Sequence, residues 1–406
     1  MFILGCCGFD FTMTYKKYVS ILISILLSLV SCAEAHKYSF DSSNPLAILG
    51  EIGWSLAAAN NLKYPFVAVG ASCASWYSVD GNDWSYSSTR FPSCNAGDIN
   101  SVAYGNGTWV AVGTLTSGAG CGLWSSKDGE TWTRSNCANN GGGNSNFQLY
   151  SVAYGNGTFW VGGDKEGAGT TVSFYGLKST DGISWQYFPI DTGGANNIPD
   201  FASTTSFDSV NSIAYFGFTN SVTGNISKFR VGTSSWSQNG DGDILPNLAS
   251  SKKNVFALNS GNVVSYGDDA NGGGALSVFN GTIWGGQTAT TTSSKINVMA
   301  EGSDRIFAFG NACTLDYTSD LTGLAGWIGF SGTPIIVGGC SGLHWSAATY
   351  NAKLKLFALG STGTGGSNPS TFAVSSTGLP GDWKLIPITQ SGIPGPAVLS
   401  IAAKTN

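Results

Sequence analysis

One passage of this chain is written three times. Ser151-Val-Ala-Tyr154 leads through Gly155-Asn-Gly-Thr158 into Phe159-Trp-Val-Gly-Gly163. A polar loop, a third run and Ser179-Thr-Asp-Gly-Ile-Ser-Trp185 follow. Ser101–Trp132 repeats that order closely and Ser55–Trp84 loosely. A unit this short cannot bury its own apolar face, so copies must stack on one another, and that restricts the fold more than composition does.

One apolar strand type marks the copies: Phe66–Gly70, Trp109–Gly113, Phe159–Gly163, Val255–Leu258, Ile306–Gly310 and Leu356–Gly360. The markers stand roughly 50 residues apart, with one gap of about double length after Phe159. That gap holds Ser212–Tyr215 and Phe229–Gly232, read as the first and second strands of one further unit. Seven units of about 48 residues then fit, and the irregular fourth unit leaves six or eight open. From Pro45 onward no segment keeps a helical period. Apolar strands of about five residues alternate with Gly, Asn, Ser and Thr clusters. A period of about 40–50 residues with four short strands is the signature of an all-β propeller with four antiparallel strands per blade. The 57 glycines and the 13 Trp, 15 Tyr and 22 Phe suit turns and packed strands. In each blade the Ser-Val-Ala-Tyr strand is innermost, the marker second, and a third leads into the Asp motif whose Trp starts the fourth. Asn106-Gly107 and Asn156-Gly157 predict two-residue hairpins with both residues at positive φ.

The Asp motif stands as Ser78-Val-Asp80-Gly-Asn-Asp-Trp84, Ser126-Lys-Asp128-Gly-Glu-Thr-Trp132 and Ser179-Thr-Asp181-Gly-Ile-Ser-Trp185. Thr318-Ser-Asp320 with Trp327, and Ser375-Ser376 with Asp382-Trp383, look like decayed copies. The motif resembles the Asp-box, or BNR repeat, of sialidase-like propellers, with Asp-Gly where those have Asp-x-Gly. In this it is closer to bacterial exported repeat proteins and to photosystem II assembly-factor propellers than to true sialidases. An Asp that recurs once per blade reads as a folding device. It accepts backbone N–H groups, the Gly supplies positive φ, and the Trp packs beneath. Asp80, Asp128 and Asp181, with Trp84, Trp132 and Trp185, are therefore assigned to structure. No residue is assigned to catalysis or to a metal, and no cofactor is expected. Asn239-Gly-Asp-Gly-Asp243 begins like a calcium loop but lacks its later Gly and Glu, so it reads as a turn.

Lys16-Lys17 precede an apolar run from Tyr18 to Val30. At about 13 residues it has signal-peptide length and falls short of the roughly 20 needed to span a bilayer. Leu29-Val30-Ser31-Cys32 resembles the bacterial lipobox, which implies cleavage before Cys32 and its acylation. Ala33-Glu34-Ala35 offers ordinary secretion as the alternative. The expected organisation is a signal peptide over 1–31 with Met13 a second candidate start, a lipidated tether over 32–45, and a single propeller over 46–406. The expected location is outside the cytoplasm, on a membrane. Of the six cysteines in the body, Cys73, Cys121 and Cys313 fall between the second and third strands, and Cys94, Cys137 and Cys340 follow the fourth. These equivalent positions predict Cys73–Cys94, Cys121–Cys137 and Cys313–Cys340, in keeping with an oxidising compartment. No Cys-x-x-Cys pair stands in the body to suggest zinc.

The net charge of −5 becomes −6 without residues 1–31, whose Asp10, Lys16 and Lys17 sum to +1. An acidic chain with few arginines is ill suited to nucleic acid. His36 and His344 are the only histidines, which limits imidazole chemistry. The long connections are Thr114–Gly120, Asn139–Asn146, Asp164–Thr170, Asp191–Thr205, Asp268–Gly274 and Ser361–Pro369. All fall between second and third strands or between blades, so they share one face. That loop face is the expected binding surface for a protein or glycan partner, and the face of tight hairpins is expected to be plain. The membrane would be met through the lipid anchor alone. Two alternatives stand. A sialidase-like hydrolase implies an arginine triad, but the body has only Arg90, Arg134, Arg230 and Arg305, and Phe229-Arg230-Val231-Gly232 lacks the family's Pro. The other is a membrane-complex assembly factor.

Overall fold

The computed structural model describes residues 64–404, apart from 116–120, 136–146, 166–172, 190–200, 220–225, 231–234, 238–253, 269–273, 282–283, 285–287, 290–294, 331–341, 363–370 and 391–392. The compact body runs from Lys63 to Asn406. The expected signal peptide, Cys32, the tether and the first part of the Ser55–Trp84 copy lie outside the described residues. Within those residues no helix is long and apolar enough to cross a membrane.

Seven four-stranded antiparallel sheets are present among the described residues, together with one two-stranded ribbon, Thr389–Gln390 with Ile393–Pro394. Blade I holds Phe66–Gly70, Ser75–Ser78 and Trp84–Ser87 in order. Its innermost strand comes from the other end of the chain: Val398–Ala403 pairs with Phe66–Gly70, with Phe66 opposite Ala403 and Val67 opposite Ala402. The innermost strands of blades II to VII are Asp98–Gly105, Phe147–Gly155, Phe201–Asp208, Asn254–Ala257, Ile296–Glu301 and Trp345–Asn351. The ring is a β-propeller closed by its C-terminal strand.

Blades IV and V correct the strand assignment. The second strands there are Ile213–Thr219 and Val263–Asp268. Ser212–Tyr215 therefore opens a second strand rather than a first. Phe229 and Arg230 belong to the third strand, Ile226–Arg230. Val255–Leu258 covers an innermost strand, Asn254–Ala257. With these changes no double-length gap remains. The misreading has a physical source. Strands between two neighbouring blades are covered on both faces, so they read as continuous apolar runs without alternation. Phe66–Gly70, Gly122–Ser126 and Ile306–Gly310 are buried throughout. A short innermost strand such as Asn254–Ala257 then looks like a marker.

Six innermost strands carry a β-bulge at the same level. Register shifts opposite Leu399, at Asn100, at Tyr150, at Ser203, at Asn297 and at Ser346. The glycine closing several marker strands faces this bulge. A Cβ on Gly113 would stand 2.2 Å from the Asp98 carbonyl oxygen, and one on Gly310 2.0 Å from that of Lys295. The extra residue brings the partner backbone so close that a side chain is excluded.

Hydrogen bonds stitch every adjacent pair of blades. Val102 N–H donates to Ser400 Oγ (3.3 Å), Val152 N–H to Ser101 Oγ (3.2 Å) and Thr205 N–H to Ser151 Oγ (2.8 Å). Ala257 N–H donates to Ser206 Oγ (2.8 Å) and Asn259 N–H to Glu301 Oε2 (2.8 Å). Asn297 Nδ2 donates to the Trp345 carbonyl (3.0 Å), and Ser346 Oγ to that of Val398 (2.5 Å). The recurrent serine thus satisfies a backbone N–H of the next blade that the bulged ladder does not.

Candidate binding face

The ring presents two faces of different construction. On the hairpin face lie the turns between first and second strands and between third and fourth. Asn106 and Gly107 have φ of 46° and 70°, Asn156 and Gly157 45° and 75°, the mirror-image turn their sequence requires. Each asparagine also reaches the next blade: Asn106 Nδ2 donates to the Thr180 carbonyl (3.2 Å) and Asn156 Nδ2 to Ser212 Oγ (2.7 Å).

The Asp turns share one hydrogen-bond plan. Asp80 Oδ1 accepts from the N–H of Asn82 (2.8 Å) and Asp83 (3.0 Å), Asp128 Oδ1 from Glu130 (2.8 Å) and Thr131 (2.7 Å), and Asp181 Oδ1 from Ile183 (2.8 Å) and Ser184 (2.7 Å). Trp84 and Trp132 donate Nε1–H to the carbonyls of Gly81 and Gly129. Trp185 departs from the plan, for its buried Nε1 has no such bond. The decayed copies keep the chemistry. Asp320 accepts from Thr322 N–H (2.9 Å), while Asp382 reaches back from the far side of its turn to accept from Thr377 N–H (2.9 Å). Each carboxylate is committed to its own turn.

The backbone N–H groups of Ser184 and Ile183 hold the Asp181 carboxyl down at about 2, against an ordinary value of 3.8. For Asp80 and Asp128 partial burial opposes ionisation, but the turn N–H groups outweigh it and both pKa values fall. A depressed folded-state pKa adds stability that is complete above the unfolded value, about 3.9, and is lost as pH falls through the folded one. The urea midpoint, followed by tryptophan fluorescence, is therefore expected to hold between about pH 7 and 5 and to fall between about pH 4 and 2. Asp181→Asn should lower the neutral midpoint and flatten part of that acid limb. An unchanged acid limb would contradict the assignment.

On the loop face, blades I and VI build matching turns. Ser72 and Cys73 have φ of 55° and 60°, Ala312 and Cys313 49° and 62°. Gly70 N–H donates to the Ala74 carbonyl (3.0 Å) and Gly310 N–H to that of Thr314 (3.1 Å). Left-handed backbone costs a non-glycine residue roughly 1–2 kcal/mol, so these turns need external support. Cys73 is bonded to Cys94, 21 residues on, with Cα atoms 5.9 Å apart. Its N–H donates to the Gly97 carbonyl (2.8 Å), and Cys313 N–H donates to that of Leu343 (3.3 Å). Asp98 Oδ1 accepts from Ser72 N–H (3.0 Å). The expected Cys73–Cys94 bridge is present. Cys121 and Cys313 are also disulfide-bonded, and Cys137 and Cys340 lie outside the described residues.

Most of the long connections lie outside the described residues as well, as do Asn239–Asp243. Phe201–Thr205, read as loop, belongs to the innermost strand of blade IV, and Asp164 still lies within a second strand, Thr158–Lys165. The bulged strands and the two left-handed turns carry no glycine-rich or asparagine-rich signal, and the sequence reading missed them.

The arginines are dispersed. The Arg90 guanidinium lies 4.0 Å from the centre of the Tyr77 ring. Arg134, on the outermost strand of blade II, donates from Nη2 to the Cys121 carbonyl (3.3 Å). Arg305 stands on the hairpin face, paired with Asp304 at 2.6 Å. Arg230 lies in a third strand, its side chain outside the described residues. No arginine triad converges among the described residues. His344 precedes the innermost strand of blade VII, and its carbonyl accepts from Thr362 N–H (3.0 Å). No cluster of His, Cys, Asp and Glu able to hold a metal occurs among the described residues.

No known protein family and no curated protein matches the chain. Solved structures do. A functionally unknown protein from Desulfotomaculum acetoxidans DSM 771 is similar with a TM-score of 0.52 and 10% identity, over 84% of this chain and 99% of that one. A YCF48 structure bound to a D1 peptide has a TM-score of 0.48 and 18% identity, over 73% and 82%. A protein of unknown function from Dyadobacter fermentans DSM 18053 has 0.44 and 16%, over 68% and 94%. At these identities the likeness is one of fold. The chain is a β-propeller protein whose Asp turns on one face satisfy their own backbone and whose other face is tied by the Cys73–Cys94 disulfide.

Proposed function

We propose that this chain is an exported, lipid-anchored propeller that holds a protein or glycan partner on its loop face, and that its Asp turns are Asp-box repeats. One observation carries the reading. The loop face fixes non-glycine residues in left-handed turns and ties them by a disulfide, as a preorganised binding surface requires. Disulfides favour an oxidising compartment, which supports export. The lipobox-like Leu29–Cys32 supports anchoring. The dispersed arginines speak against a sialidase-like carboxylate clamp, and no observation favours an assembly factor over other binding roles.

The test is a glycan and envelope-protein binding screen with the mature chain. A captured partner is expected to lose at least tenfold in affinity with Ser88→Arg and Ala96→Arg on the loop face and to be unaffected by Ser303→Arg on the hairpin face. The opposite pattern would move the site. Cys32→Ser is expected to shift the protein from the detergent phase to the aqueous phase on Triton X-114 partition.

A further inference from the structure

The hairpin face was expected to be plain, and its backbone is. Its side chains are not. The large apolar residues that stand exposed among the described residues are Val79, Ile183, Val210, Leu324, Ile328 and Leu354, from 40% to 62% exposed. All six lie on this face. Val79, Ile183 and Leu324 occupy turns between third and fourth strands, Ile328 begins a fourth strand, and Val210 and Leu354 occupy turns between first and second strands. They come from five blades around the ring.

Their spacing selects the occupant. A protein partner is best held by a contiguous apolar patch with a desolvated centre. Apolar tips drawn from five blades of the ring, with only Leu324 and Ile328 sharing one, are spread around the face instead of gathered at a single centre. A lipid interface places no demand for contiguity, because each tip meets acyl chain on its own. Entry into an interface also penalises unsatisfied backbone, and here side chains of the same turns take up tip N–H groups: Asp181 that of Ile183 (2.8 Å), Asp208 that of Val210 (2.9 Å) and Asn351 that of Leu354 (2.9 Å). Lys353 and Lys355 flank Leu354 and can extend to headgroup level while the leucine points inward.

The course of the chain agrees. It enters the body at Tyr64–Pro65, on the hairpin face, where the Pro65 carbonyl accepts from Lys404 N–H (2.8 Å) and from Asn351 Nδ2 (3.5 Å). A chain held upstream at Cys32 therefore joins its propeller on the side that carries the apolar tips. Asp80, Asp128, Asp181, Asp320 and Asp382 share this face with Asp83 and Asp304, which suits a zwitterionic surface better than an anionic one.

We infer that the hairpin face rests on a zwitterionic phospholipid bilayer with its apolar turn tips inserted, leaving the loop face turned outward. The inference deepens the lipid-anchored reading and rests on it. The test couples the mature chain through Cys32 to a maleimide lipid in phosphatidylcholine vesicles that contain a phospholipid with a diazirine on its acyl chain. Illumination followed by peptide mapping is expected to place label at Val79, Ile183, Val210, Leu324 and Leu354. The combined variant Val79→Ser, Ile183→Ser, Val210→Ser, Leu324→Ser and Leu354→Ser should take up at least tenfold less. Label on loop-face peptides, or none on the body, would overturn the inference. Added phosphatidylglycerol should lower labelling, and a rise would overturn the choice of a neutral surface. The Triton X-114 partition of cell-made protein is read separately. If it fails while the label stays on the hairpin tips, the anchor falls and the face assignment stands. Partition without hairpin label sinks the inference alone.

Discussion

A chain ending at Pro394 is expected to show no cooperative unfolding transition. The lost segment includes Val398–Ala403, the innermost strand of blade I, whose Val398, Ile401 and Ala403 are buried. Without it the fully buried strand Phe66–Gly70 becomes a bare apolar edge, open to aggregation. Two of the seven blade junctions fail together, because Ser400 Oγ no longer meets Val102 N–H and the Val398 carbonyl no longer meets Ser346 Oγ. The two faces of one gap then stand exposed in a ring whose total stability is on the order of 5–15 kcal/mol. Thermal and urea scans by circular dichroism should find a broad, non-cooperative change with strong dye binding. A sharp transition close to that of the intact chain would show that closure is not needed.

Gly310→Ala is expected to cost about 3 kcal/mol or more, although it adds a single methyl group. The reason is steric. Gly310 is extended, at φ −146° and ψ −157°, so its backbone suits any residue. A Cβ there would meet the Lys295 carbonyl oxygen at 2.0 Å, and that carbonyl is held in place by accepting from Asn311 N–H (3.1 Å). Gly107→Ala separates space from conformation. Nothing lies within 4 Å of its Cβ, but its φ of 70° is left-handed, and the expected cost is about 1–2 kcal/mol. Urea midpoints of the two variants decide between the effects. If Gly107→Ala proved the more damaging, the close approach across the bulge would not be the source of that glycine's importance.

Which features could be read in advance follows from how locally each is determined. Asn106-Gly107 announces its turn because two adjacent residues suffice to set both φ values. Cys73–Cys94 was legible through equivalence, since the same two positions carry cysteine in three repeats. The bulges were not, because one extra residue in an innermost strand leaves a pattern of small apolar residues nearly unchanged. Ser101 and Ser151 show in the sequence only as the repeated opening of an innermost strand, and their bonds to the neighbouring blade exist only once the ring is assembled. Val255–Leu258 misled because burial on both faces erases the alternation that separates one strand type from another. The left-handed pairs at Ser72-Cys73 and Ala312-Cys313 lack the Gly or Asn that normally signals such a turn. Tertiary support replaces local preference there. The tight turns of the hairpin face do not reveal in sequence how exposed Ile183 and Val210 are.

Those two unusual turns have a consequence for when the protein becomes complete. With Cys73 reduced, the left-handed pair Ser72-Cys73 keeps its hydrogen bonds to Asp98 and Gly97 and loses its covalent tie. Among the described residues the Asp turns of the hairpin face carry no such dependence, since their own carboxylates satisfy them. A copy retained in a reducing compartment would thus have a finished underside and an unfinished upper rim. Oxidation then completes the loop face, the surface we propose for partner binding.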